Sequence, residues 1–159
     1  MAHKNQNNSN IKFVTGRDYD NPNGFQILYD MVKRQVDTTY PDQYDPQWLT
    51  WMTRLDQQRN GFTIGIEQDG ELRCLLVAEW QYNMWRNIKE INIVGILTAL
   101  KCHYSFVDMM LDRLELWGKQ QDCDSINIFT WDSRKAYQRW CERKGFSLQQ
   151  YTYTKELKR

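Results

Sequence analysis

The sequence predicts an α/β domain: a mixed central sheet flanked by helices. Three observations predict it. The stretch Glu90-Ile91-Asn92-Ile93-Val94-Gly95-Ile96-Leu97 alternates and then runs apolar, as a central strand covered on both faces does. A helix-period stripe follows it, with Phe106, Met110, Leu114 and Trp117 on one side and Val107 and Leu111 beside them. Ahead of the strand, Asp69-Gly70 stands between two apolar runs, a strong hairpin signal.

Taken in order, residues 1–11 are a polar, Asn-rich segment without an apolar core, and they predict a disordered tail. The domain then runs from 12 to 159. Lys12 to Thr15 is a short strand. Asn23 caps a first helix carrying Phe25, Leu28, Tyr29, Val32 and Val36, which stops before Pro41. Asp45-Pro46 restarts a helix with Trp48, Leu49, Met52 and Leu55 on its apolar face, and Asn60-Gly61 ends it. Phe62 to Glu67 and Leu72 to Trp80 are the arms of the hairpin. Gln81 to Lys89 reads as a longer connection holding Tyr82, Met84 and Trp85. The central strand follows, then the turn Lys101-Cys102-His103-Tyr104. Ser105-Phe106-Val107-Asp108 has the form of a capping box opening the long helix. Ser125 to Trp131 alternates as a strand. Asp132 or Ser133 caps a last helix with Tyr137, Trp140 and Cys141 on one side, Gly145 ends it, and Ser147 to Leu157 is a final strand. The predicted order is β-α-α-β-β-β-α-β-α-β, with no internal repeat.

Bulk properties exclude several classes. A chain of 159 residues buries a sizeable core as one domain. Net charge is +1, so no field draws in nucleic acid, and no apolar run approaches the roughly 20 residues of a membrane span. The four cysteines are scattered without a C-x-x-C pair, which predicts reduced thiols, a cytoplasmic setting and no metal site. Seven Trp and nine Tyr make the chain unusually aromatic; Gln81 to Trp85 would line an acceptor cleft or contact a protein partner.

The segment Arg134 to Phe146 resembles a helix found in many members of the GNAT superfamily of acyl-CoA-dependent N-acyltransferases, of the form N-x-x-A-x-x-L-Y-E-K-x-G-F. Glu142, Arg143, Gly145 and Phe146 match, and the element order resembles that superfamily from Lys12 onward. The resemblance implies acyl transfer from acetyl-CoA to a small-molecule or protein amine. It implies a thioester carbonyl held by backbone N–H groups near Ile96, Leu97 or Thr98, and a pyrophosphate held at the turn before the long helix. Lys101, Ser105, Phe106 and Val107 fall there.

Two departures bear on this. The family's R/Q-x-x-G-x-G/A turn is Cys102-His103-Tyr104-Ser105-Phe106-Val107 here, without either glycine. Val107 adds bulk, Asp108 would put a carboxylate in the first turn, and the capping box would occupy N–H groups. The family's proton-donating helix tyrosine falls at Cys141, with Tyr137 one turn earlier. The alternative is therefore a GNAT-like domain without a cofactor, acting in binding or assembly, similar in style to small proteins encoded by tailed phages; its setting would then be a host cytoplasm or a virion. For an active transferase, Glu79 and Glu90 are the best-placed general bases. His103 reads as structural or exposed, and Cys141 as a small buried side chain.

Overall fold

The computed structural model describes residues 10–15, 33, 58–98, 102–128, 135–148 and 155. It divides into two compact units, Met1–Phe129 and Thr130–Arg159. The first holds a five-stranded sheet in the order β1-β2-β3-β4-β5. Strand β1 is Ile11–Val14, β2 Gly61–Gln68, β3 Glu71–Asn83, β4 Ile88–Thr98 and β5 Ser125–Ile128. Pairing is antiparallel from β1 to β4 and parallel between β4 and β5. The sheet is thus mixed, and the α/β class stands. Helix α1, Tyr104–Gln120, crosses from β4 to β5, as a parallel pair requires.

Local chemistry accounts for the joints. Asp69 and Gly70 both take positive φ, 54° and 79°, so the β2–β3 hairpin closes through the tight turn that Asp-Gly favours. The expected long connection over Gln81 to Lys89 is instead a second hairpin. Strand β3 runs on to Asn83 and β4 begins at Ile88, leaving a turn of Met84 to Asn87. Asn87 supplies its positive φ of 52°, and its side-chain oxygen accepts from the Tyr82 hydroxyl. Polar and aromatic residues hid this pairing from the sequence, because their alternation carries no apolar signal. The first strand also begins at Ile11, opposite Gln68, so the tail expected through residue 11 ends earlier.

Cross-strand register sorts side chains onto two faces. One face carries Phe13, Phe62, Leu76, Ile91 and Ile93, and α1 packs on it. The Phe62 and Trp117 rings lie 5.0 Å apart, and the Arg113 guanidinium sits over the Phe13 ring. A Cβ on Gly118 would meet Ile91 Cδ1 at 2.6 Å, so the helix seats closely on β4 at that point. Val107, Met110, Leu111, Leu114 and Gly118 are the buried stripe of α1, with Phe106 and Trp117 at its margins. Lys89 pins the far end: its Nζ donates to the Gln121 carbonyl and stacks 3.7 Å from the Trp80 ring centroid.

In the second unit, α2 is Lys135–Arg143. Phe146 N donates to Cys141 O and Gly145 N to Glu142 O, with Gly145 at φ 84°: a Schellman ending, as Gly145-Phe146 predicted. Ser147, Leu148 and Lys155 lie outside any strand; the remainder of the expected final strand, most of the two early helices apart from a helical Lys33, and most of the tail lie outside the described residues.

Candidate functional site

Two irregularities in register build the site. Val77 pairs with Gly95 while Ala78 pairs with Ile93, so Val94 is an extra residue in β4, a β-bulge. Pairing with β5 covers only Glu90 to Ile93. From Val94 to Thr98, β4 therefore has no strand on its second edge among the described residues. Alternate residues of that run turn their N–H and C=O groups toward the open edge. Ile96, Leu97 and Thr98 lie in it, and α1 follows them in the chain.

The second bulge lies between β2 and β3. Ile66 pairs with Cys74 and Glu67 with Leu72, which leaves Arg73 as the extra residue. Its positive charge helps to pull the Cys102 thiol pKa down. Arg73 Nε is buried and lacks a hydrogen-bond partner, while its NH2 group sits 3.6 Å from Glu71. No sequence pattern marked Arg73, because the bulge that redirects it depends on the pairing of two strands.

The start of α1 corrects the capping-box expectation. The N-cap is His103, not Ser105: its Nδ1 accepts from Ser105 N at 3.1 Å and lies 2.7 Å from Ser105 Oγ. Phe106 N donates to the His103 carbonyl. Asp108 falls beyond the first turn, which contains no acidic residue, so the expected repulsion of a phosphate by Asp108 loses its basis. Val107 is 7% exposed and points into the core, so its side chain is not bulk at the phosphate approach. Ser105 is exposed and Phe106 half-buried; Lys101 lies outside the described residues.

On the face opposite α1, register brings the two candidate bases together. Glu79 is directly across from Asn92, and Gln81 across from Glu90, so the two carboxylates are diagonal neighbours. Glu90 is not the solvated strand-end charge its position suggested. It is 6% exposed, accepts from Asn83 Nδ2 at 3.1 Å and lies 3.9 Å from Arg86. Glu79 is half-buried. Buried Asn92 accepts from Asn127 Nδ2 at 3.1 Å, and Ser125, in register with Glu90, has a buried hydroxyl without a partner. Asn92, Asn127 and Ser125 escaped the sequence reading because only register places them beside the glutamates.

In the second unit, Tyr137 and Cys141 share a hydrogen bond across one turn of α2. Burial pushes the Cys141 thiol up, against the pull of that bond. The turn between β3 and β4 exposes Tyr82, Met84 and Trp85, the last almost completely at 98%. Among the described residues there is no group of His, Cys, Asp and Glu suited to a metal ion, and no helix long and apolar enough to cross a membrane.

No protein-family model matches the chain, and no curated protein matches it in sequence. Solved structures do match in fold. AAC(6')-Iy, in complex with the bisubstrate analogue CoA-S-monomethyl-acetylneamine, superposes with a TM-score of 0.71 at 12% identity, covering 94% of this chain and 99% of that one. The aminoglycoside antibiotic 6'-N-acetyltransferase AAC(6')-Ih from Acinetobacter baumannii gives 0.66 at 17% identity, over 93% and 97% of the two chains. A GNAT family acetyltransferase from Staphylococcus aureus gives 0.63 at 14%, over 93% and 99%. With its mixed five-stranded sheet and these superpositions, the chain has the fold of the GNAT acetyltransferases.

Proposed function

We propose that this chain is an N-acyltransferase that moves an acetyl group from acetyl-CoA to an amine. The observation that carries the reading is the open edge of β4 beyond Ile93, bulged at Val94 and followed in the chain by α1. The structure's own residues fit the donor. Arg73, whose charge acts on the Cys102 thiol of that turn, would supply a positive field in place of the basic residue missing from it. The positive end of the α1 dipole adds to that field. Ser105 and Phe106 line the turn, and backbone N–H groups of the Ile96–Thr98 run face the acyl end. Acetyl-CoA supplies an activated thioester when bound.

The remaining steps belong to the chain. Glu79, half-buried and opposite Asn92, takes a proton from the acceptor ammonium, directly or through one water. Glu90, held by Asn83 near Arg86, keeps a second negative charge beside it and favours a cationic acceptor. The Ser125 hydroxyl is available to an acceptor polar group. Open-edge N–H groups stabilise the oxyanion that develops as the amine attacks. The family resemblance assigns protonation of the departing thiolate to the last helix, at Tyr137 or Cys141. Structural neighbours that carry aminoglycoside acetyltransferase names make polyamine-like small molecules the first acceptors to try. The exposed Tyr82, Met84 and Trp85 suit contact with a larger acceptor or a protein partner. Scattered thiols fit a cytoplasmic site of action.

Calorimetric titration with acetyl-CoA tests the reading. Saturable micromolar binding is expected, about tenfold weaker for Arg73→Ala, the loss of one charge-assisted contact. With an aminoglycoside acceptor, Glu79→Gln lowers kcat by about a hundredfold while acetyl-CoA binding persists. Absence of heat and of thermal shift at millimolar acetyl-CoA overturns the proposal, and the cofactor-free binding or assembly role takes its place.

A further inference from the structure

The β3–β4 hairpin ends in a fixed turn that carries apolar side chains outward. Asn83 Oδ1 accepts from Arg86 N at 3.2 Å, and Asn83 Nδ2 donates to Glu90 Oε1 at 3.1 Å. Arg86 NH1 lies 3.9 Å from Glu90 Oε2, and the Tyr82 hydroxyl donates to Asn87 Oδ1. These contacts tie the turn to both strands. On it, Trp85 is 98% exposed, Met84 82% and Tyr82 56%. An aromatic anchor held on a fixed turn loses little freedom on binding, which is how docking residues gain affinity.

The turn is continuous with the polar face of the sheet. Alternation along β3 puts Glu79, Gln81 and Asn83 on one face, and register sets Asn92 and Glu90 beside the first two. Glu79 to Asn83 spans about 13 Å at the rise of a strand. A small amine at Glu79 ends short of Trp85, whereas an extended polypeptide covers the distance in about four to six residues. Exposed Gln81 lies between them and offers both a donor and an acceptor to a peptide group. Other occupants fit less well. Three such side chains offer on the order of 500 Å², short of the roughly 800 Å² per partner of a stable dimer. An anionic lipid surface calls for free cations, and the two beside the turn are engaged, Arg86 with Glu90 and Lys89 with the Gln121 carbonyl.

We propose that the β3–β4 hairpin is the docking surface for a polypeptide acceptor. Its amine lies at Glu79, and a bulky apolar side chain about four to six residues away covers Met84 and Trp85. The inference rests on the acyl-transfer reading for the chemistry at Glu79, but docking itself needs no acetyl-CoA. The contacts among Asn83, Arg86 and Glu90 keep the apolar anchor at a set distance from the carboxylate.

An array of synthetic decapeptides, each with one lysine and varied flanks, is probed with the full chain in the absence of acetyl-CoA. Bound peptides are expected to carry Leu, Ile, Phe, Met or Trp about four to six positions from the lysine. Trp85→Ala weakens their binding about tenfold or more, as loss of an aromatic anchor does. Acetylation of the peptide lysine also weakens it, since the cation is lost. Trp85 is almost wholly in water, so the variant keeps its fold, and an unchanged Tm checks this. Because docking is read without acetyl-CoA, a failed acetyl-CoA titration leaves a positive array result standing as a polypeptide-binding surface. The proposal is overturned by peptides bound without an apolar residue at that spacing, or by binding that Trp85→Ala leaves unchanged. It is equally overturned if, in place of peptide binding, Trp85 supports a dimer in sedimentation or attachment to phosphatidylcholine–phosphatidylglycerol vesicles.

Discussion

At the scale of single residues, the environment of each thiol sets its reactivity. Thiolate is the alkylating form and is populated above the thiol pKa. Cys102 is lowered by its bond from Cys74 and by Arg73, so its reaction with iodoacetamide reaches half-maximum below the usual thiol value of about 8.5. Cys123 and Cys141 are raised by burial, so theirs lies above it. Residue-resolved alkylation across pH 6 to 10 (roughly the span around the ordinary thiol value) measures the order. Cys74→Ala moves the Cys102 midpoint upward, because the strongest influence holding it down is removed. A Cys102 midpoint equal to that of Cys141 contradicts this assignment. Glu90 makes the same point about environment: its neighbours in sequence read as a strand end, yet Asn83 and Arg86 across the hairpin turn it into a held, buried carboxylate.

At the scale of elements, helix ends show which local signals are strong enough to decide geometry alone. Gly145 was legible as a terminator because φ 84° at the end of α2 excludes a Cβ at low cost. A Cβ placed there meets nothing within 4 Å, so Gly145→Ala carries conformational strain without a clash. The expected loss is about 1–2 kcal/mol, the cost of the left-handed region for an L-residue. Thermal unfolding of the variant should show a clear drop in Tm, and an unchanged Tm would mean that the Schellman ending relaxes freely. The helix α1 ends in the same geometry with Asp122 at φ 56°, where Cys123 N donates to Gly118 O. Its start was misread. Ser105 and Asp108 have the spacing of a capping box, but His103 Nδ1 takes the Ser105 N–H and the helix begins two residues earlier, at Tyr104. A histidine cap carries weak sequence signal, since its ring reaches the N–H two residues on only when its own backbone is extended, here φ −76° and ψ 139° at His103.

At the scale of the molecule, the sheet and α1 form one buried layer pair, and the proposed site sits where that layer is interrupted. Leu114 is fully buried in the middle of α1. Leu114→Ala should destabilise by about 2–5 kcal/mol through lost burial and the cavity left behind. Denaturant unfolding measures this, and a loss below 1 kcal/mol (about the size of a surface change) would show that α1 contributes little to the core. A change there would act on the proposed acyl transfer only through stability, which separates it from Arg73→Ala and Glu79→Gln at the proposed site.

The sequence by itself determined the α/β class, the Asp69-Gly70 hairpin, the amphipathic α1 and the Gly145 ending, because each depends on periodicity or on one residue's backbone preference. Glu79 and Glu90 could be named from it as carboxylates at strand ends, but not as neighbours. Only the tertiary structure decided the bulges at Arg73 and Val94, the parting of β4 from β5 after Ile93, and the placing of Glu90 beside Asn83. Those features arise from the register between strands far apart in the chain. A single extra residue in one strand changes which side chains share a face, and no local pattern records it.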